Sequence, residues 1–118
     1  MTLTTLVTGA TAAAREAAIA SIAETHITTA LLLEGLPNGS SPLDTLAASG
    51  FHIARIAPGC LCCTGNLTMR VTLNRILRQA PDRLYIGLAT DSHLERIRAL
   101  LAAPPYDNFL QMTKDLYA

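Results

Sequence analysis

Short apolar runs alternate with longer amphipathic stretches along the whole chain. Four runs have strand length and hold apolar or β-branched residues: Thr4–Thr8, Thr28–Leu33, Phe51–Ala57 and Arg83–Ala89. The run Thr28–Leu33 is apolar without alternation, which is typical of a strand buried on both faces. These four runs are therefore predicted to be strands.

The stretches between the runs have helical features. Leu67–Gln79 carries apolar residues at helical spacing, and arginines and an asparagine lie on the other face. Ser41-Pro42 is a helix cap followed by proline at the first helical position, and Ser92-His93-Leu94-Glu95 has the pattern of a capping box. The predicted helices are Ala12–Glu24, Ser41–Ala48, Leu67–Gln79 and Ser92–Ala102. The Leu67–Gln79 stripe is predicted to contain Met69, Leu73, Ile76, Leu77 and Ala80.

The order of these elements is strand, helix, repeated four times. Such alternation predicts an α/β fold, a three-layer sandwich with a mostly parallel sheet covered by helices on both faces. The chain of 118 residues is of single-domain size, so residues 1–118 are expected to form one α/β domain. The tail Tyr106–Ala118 stays open between a last helix and an edge strand.

Composition narrows the range of partners. Nine basic and nine acidic residues cancel, so no net field favours nucleic acid or an anionic membrane. No apolar run approaches the ~18 residues of a membrane span, and a secretory signal is not evident, so a cytoplasmic protein is expected. Half of the residues are hydrophobic, which favours a homodimer or a protein partner that covers apolar surface.

All three cysteines of the chain lie within four positions of a predicted strand-to-helix loop. Cys60, Cys62 and Cys63 are part of Gly59-Cys-Leu-Cys-Cys-Thr-Gly-Asn66, and such loops are where sites gather in parallel α/β folds. Three thiolates on a CxCC loop predict a soft-metal site, with zinc as the expected cofactor and Cu(I) as a second option.

Zinc prefers four ligands, and the fourth must come from outside the loop. Glu34 is the preferred candidate, because it ends a predicted strand and strand ends of a parallel sheet meet at one edge. His52, His93 and water remain alternatives. Two other interpretations of the thiols stay open: an inert reduced loop, and a redox sensor at a helix start.

Three features in order resemble the CobW-type P-loop GTPases, the metallochaperone and cobalamin-synthesis group. Thr5–Gly9 is similar to the family's opening strand, Gly59-Cys60-Leu61-Cys62-Cys63 matches its cysteine motif, and Asp82–Ile86 lies where its next strand begins. The resemblance implies a P-loop-NTPase-like fold and a metal-related function.

The phosphate-binding motif of that family, GxxxxGK[ST], is not kept. Counting from Gly9, Ala14 stands at the second glycine, Arg15 at the lysine and Glu16 at the hydroxyl residue. Gly87 stands roughly where the family has a carboxylate. Because backbone wrapping, lysine and Mg²⁺ ligand are lost together, we expect no nucleotide cofactor and no GTP hydrolysis, and only Gly9 and Arg15 remain candidates for contacting an anion.

No catalytic constellation is found in the sequence. The prediction is therefore a degenerate, shortened CobW-like protein that binds zinc or another soft metal. The first alternative is a pseudo-GTPase that acts by protein contact or self-association. The second is a working nucleotide enzyme with an unorthodox loop.

Overall fold

The computed structural model describes residues 1–23, 27–35, 43, 51–56, 67–89 and 94–118. A 3-10 turn, Tyr106–Asn108, precedes the last two strands. The predicted short helix from 41 to 48 lies outside the described residues, Leu43 excepted. The strands are β1 (Thr2–Thr8), β2 (Thr29–Glu34), β3 (His52–Ile56), β4 (Arg83–Gly87), β5 (Leu110–Met112) and β6 (Leu116–Tyr117), and the helices are α1 (Ala12–Ile22), α2 (Leu67–Arg78) and α3 (Leu94–Ala102).

The six strands form one sheet in the order β3-β2-β4-β1-β5, with β6 also paired to β1. Every pairing between the described strands is parallel. The strand after the first helix, β2, is thus separated from β1 by β4, which is the insertion expected of a doubly wound sheet. The predicted α/β class with a mostly parallel sheet is confirmed.

Two apolar clusters lie on the two faces of the sheet, because successive strand residues point to opposite sides. In β2, Leu31 and Leu33 face one cluster, and Ala30 and Leu32 face the other. Helix α1 packs on the first face through Ile19. Helices α2 and α3 cover the second face through the buried residues Met69, Leu73, Ile76, Leu94, Ile97 and Leu101.

Local sequence explains where helix α1 begins. The Thr11 side chain accepts a hydrogen bond from the Ala14 amide at 3.0 Å and so caps the helix. The helix ends at Ile22, two residues earlier than predicted, and Ile22 is 45% exposed whereas Ile19 is buried.

The stripe predicted for α2 is confirmed at its buried positions, but not at its last member. Ala80 lies beyond the helix, is exposed and has a φ of 48°. The tail that was left open between a helix and an edge strand forms the 3-10 turn and the short strands β5 and β6. In the part of the chain that the structure describes, no helix has the length and apolar character needed to cross a bilayer.

Candidate functional site at the carboxyl edge of the sheet

Four parallel strands end at the same edge of the sheet. Val7 and Leu33 both pair with Gly87 in β4, and Glu34 pairs with Ile56 at the end of β3. The carboxyl edge of the sheet therefore brings together the segment that follows β1, the side chain of Glu34 and the start of the loop that carries the cysteines. Sites in open parallel sheets form at this edge.

The Arg15 side chain lies inside this edge and is only 5% exposed. Its Nη1 donates a hydrogen bond to the Gly9 carbonyl oxygen at 2.8 Å, and its Nη2 donates to the Glu34 carbonyl oxygen at 3.3 Å. The guanidinium thus joins the ends of β1 and β2. Two N–H groups of Arg15 that could bind an anion therefore donate to backbone carbonyl oxygens instead.

Burial makes the charge of Arg15 costly. Desolvation lowers the pKa of the Arg15 guanidinium below its ordinary value, while the nearby carboxylates of Glu34 and Glu16 act in the opposite direction. The arginine is therefore held as a cation among protein groups, in the way that buried charges generally require.

Gly9 has little free space around its α-carbon. A β-carbon built on Gly9 would lie 2.7 Å from the Cβ of Ala118 and 3.1 Å from the Cγ of Arg15. The Ala118 amide also donates to the Thr8 carbonyl oxygen at 2.7 Å. A phosphate-binding loop keeps backbone N–H groups open around its anion. In this chain, residues of the tail and of α1 pack closely against the corresponding glycine.

Glu16, which stands at the hydroxyl position of the motif, is engaged in an ion pair. Its carboxylate is buried and accepts two hydrogen bonds from Arg55 in β3, both at 2.9 Å. This is the bidentate geometry that makes arginine–carboxylate pairs strong. The ion pair connects the second turn of α1 with β3 of the sheet.

Glu34 is buried, and its Oε1 accepts a hydrogen bond from the Ala89 amide at 2.6 Å. The Gly35 amide donates to the Ile56 carbonyl oxygen at 2.9 Å, which fixes the end of β2 against the end of β3. Cys60 follows Ile56 by only four positions. Glu34 therefore lies beside the strand from which the cysteine loop departs.

The predicted metal site is only partly within the described residues. Cys60, Cys62, Cys63 and His93 lie outside them, so the prediction that the thiols and Glu34 share a metal stays a prediction. Among the described residues, no group of three or more histidine, cysteine or carboxylate side chains is placed to hold a metal ion. His52 is exposed at the start of β3, at the opposite edge of the sheet from Glu34.

At the end of β4, Gly87 packs closely against Leu33 of β2. A β-carbon on Gly87 would lie 3.1 Å from the Cδ2 of Leu33. Gly87 therefore allows a close approach between the two central strands β2 and β4.

Sequence reasoning missed two contributors to this edge, Arg55 and the Ala89 amide. A charged residue within the mostly apolar stretch Phe51–Ala57 was a usable signal for Arg55, since an arginine in a partly buried strand usually has a carboxylate partner. The role of the Ala89 amide had no such signal, because every residue except proline carries that donor.

Comparison with known proteins gives one informative similarity. The chain is 42% identical over 72 residues, 60% of its length, to the protein named zinc chaperone YeiR from Escherichia coli (strain K12). The match covers 22% of that protein, so the chain spans about a fifth of its relative. No protein-family model matches the chain, and no solved structure gives a significant match.

Proposed function

We propose that this chain is a CobW-type domain that binds zinc through Cys60, Cys62 and Cys63, with Glu34 as the fourth ligand. The similarity to a zinc chaperone, in a chain that keeps the Gly-Cys-x-Cys-Cys motif, is the observation that carries the proposal. Three thiolates and a carboxylate are a ligand set that zinc accepts.

The position of Glu34 supports its place in that set. Glu34 pairs in register with Ile56, and the cysteine loop begins just after Ile56. A carboxylate has two oxygens with several acceptor sites, and the Ala89 amide donates to one of them, Oε1. That amide contact would orient the carboxylate, as outer-shell hydrogen bonds commonly do at metal sites.

We further propose that the domain neither binds nor hydrolyses GTP. Arg15 stands at the lysine position but donates to the Gly9 and Glu34 carbonyl oxygens, and Glu16 is engaged by Arg55. Ala118 packs against Gly9. Phosphoryl transfer depends on positioned cations and backbone donors, and these contacts direct the corresponding groups elsewhere. Saturable GTP binding in calorimetry, abolished by Arg15→Ala, would contradict this part of the proposal.

Metal content is the direct test of the zinc site. Untagged protein, purified under reducing conditions, is expected to hold about one zinc per chain by elemental mass spectrometry, and Cys60→Ser and Cys62→Ser are expected to lose it. Glu16→Gln, which alters an equally buried carboxylate of α1, serves as the matched control and should keep the metal. Absence of metal after anaerobic zinc reconstitution would contradict the proposed zinc site.

The alternative is a pseudo-GTPase fold that acts by self-association. The exposed Phe109 side chain, 53% accessible between two cavities, favours it. Metal binding and self-association do not exclude each other.

A further inference from the structure

Two cavities lie side by side at the amino edge of the sheet. The first, of about 240 Å³, is lined by Asn74, Leu77, Arg78, Tyr106 and Phe109 among others. The second, of about 250 Å³, is lined by Leu77, Pro81, Asp82 and Phe109 among others. Leu77 and Phe109 border both cavities and so form a ridge between them, which we call the Phe109 ridge.

The Phe109 ridge is apolar and open to solvent. Phe109 is 53% exposed, and Met1, which borders the second cavity, is 75% exposed. Phenylalanine is a costly side chain to leave in water, since its large apolar surface is among the strongest contributors to protein contacts. Each cavity is many times the ~30 Å³ of one water molecule, and therefore has room for a side chain of this size.

Opposite charges stand on the two sides of the ridge. Arg78 borders only the first cavity and Asp82 only the second. Both side chains are exposed, and within the described ranges neither takes part in a salt bridge. The Asp82 carboxylate accepts a hydrogen bond from the Thr28 amide at 3.1 Å, which fixes its position at the rim.

This arrangement is self-complementary. A two-fold axis that runs along the ridge places the positive side of one copy opposite the negative side of the other. The Phe109 side chains of the two copies then face each other across the axis, with the cavities on either side. A partner with only one sign of charge would match one side of the ridge and oppose the other.

We propose that the Phe109 ridge is a homodimer interface, closed at its two ends by Arg78–Asp82 pairs between copies. The interface lies at the starts of β1 and β4, whereas Glu34 and Ile56, the strand residue that precedes the cysteine segment in sequence, lie at the carboxyl edge. The two edges are separated by the length of a strand, about 3.3 Å for each residue. The dimer is therefore independent of metal binding.

Sedimentation analysis of charge-reversed variants tests the interface. All samples are kept reduced and metal-free, so that the cysteine loop does not contribute. The wild-type chain is expected to show a concentration-dependent dimer. Arg78→Asp and Asp82→Arg are each expected to raise the dimer dissociation constant roughly tenfold or more, because each reversal places like charges together at both ends of the interface.

Mixing the two single variants gives the sharpest outcome. Arg78→Asp carries two acidic groups at the ridge, and Asp82→Arg carries two basic groups. An equimolar mixture is therefore expected to regain the dimer as a heterodimer. The double variant Arg78→Asp/Asp82→Arg is expected to regain it alone. Arg96→Asp, the same charge change at an exposed site of α3, is expected to dimerise like the wild type.

Several outcomes would overturn the proposal. They are a wild-type chain that stays monomeric at high concentration, a dimer insensitive to both reversals, and single variants that remain monomeric when mixed. Phe109→Ser adds a charge-neutral test, since a dimer built on this ridge must weaken when the aromatic ring is removed. Far-ultraviolet circular dichroism of each variant checks that the domain is folded. If Asp82→Arg is not folded, Asp82→Asn replaces it, because asparagine keeps an acceptor for the Thr28 amide.

Discussion

The Arg15 guanidinium and the Gly9 carbonyl oxygen are joined by a 2.8 Å hydrogen bond across the turn between β1 and α1. The same guanidinium also contacts the carbonyl oxygen of Glu34 at the end of β2. Arg15 thereby connects the ends of two strands, β1 and β2.

Arg15→Ala is expected to lower the free energy of unfolding by about 2 kcal/mol, because two carbonyl oxygens lose a charged donor and the carboxylates nearby lose their cation. Urea unfolding followed by circular dichroism measures the change. Arg96→Ala, at an exposed site of α3, is the matched control and should stay within about 0.5 kcal/mol of the wild type. Equal losses in both variants would contradict this role of Arg15.

Gly9→Ala is expected to destabilise the domain by about 1 to 3 kcal/mol, because the added methyl group would stand 2.7 Å from the Ala118 Cβ. Ala118→Gly removes that atom. The double variant Gly9→Ala/Ala118→Gly should therefore recover part of the loss, and thermal unfolding of the three variants measures it. If the double variant were no more stable than Gly9→Ala alone, the tail would not be what confines Gly9.

Arg55→Ala is expected to cost about 2 to 3 kcal/mol, because it removes the guanidinium that donates to both oxygens of the Glu16 carboxylate, which is 3% exposed. Replacing both partners, as Glu16→Gln/Arg55→Met, should be milder than the sum of the single changes. A double-mutant cycle in urea gives the coupling energy. Additive effects would show that the two side chains do not depend on each other.

Glu34→Gln is expected to weaken zinc binding roughly tenfold or more while all three cysteines are kept, since an amide is a poorer zinc ligand than a carboxylate. Competition with a chromophoric chelator measures the affinity of the reduced protein. Glu16→Gln should bind zinc like the wild type. An unchanged affinity in Glu34→Gln would leave water or a histidine as the fourth ligand.

The layered fold could be predicted from the sequence, because the relevant information is local. The uninterrupted apolar stretch of β2 predicts a strand covered on both faces, and Leu31 and Leu32 are indeed buried on opposite sides. The order of the strands carries no such local signal. The position of β4 between β1 and β2 follows from pairings between residues far apart in the chain, such as Leu31 with Tyr85.

For the candidate site, some of the residues could be predicted from the sequence, but their contacts could not. The cysteine motif and the strand-end position of Glu34 could be read directly, whereas the contact of Arg15 with backbone oxygens could not, because every residue offers such an acceptor. The tail was ambiguous for a different reason. The strands β5 and β6 have three and two residues, which is too short for a periodic pattern to distinguish them from other structure.

The central strand β1 is synthesised before all of its strand partners, so its pairing in the sheet is completed late. It spans Thr2–Thr8, yet its partners are β4 at Arg83–Gly87 and the pair β5 and β6 between Leu110 and Tyr117. During synthesis on the ribosome, β1 therefore waits for most of the chain before either of its edges is covered, and such non-local pairing folds slowly. Both edges of β1 are consequently open to non-native pairing until residues 83–117 have been synthesised.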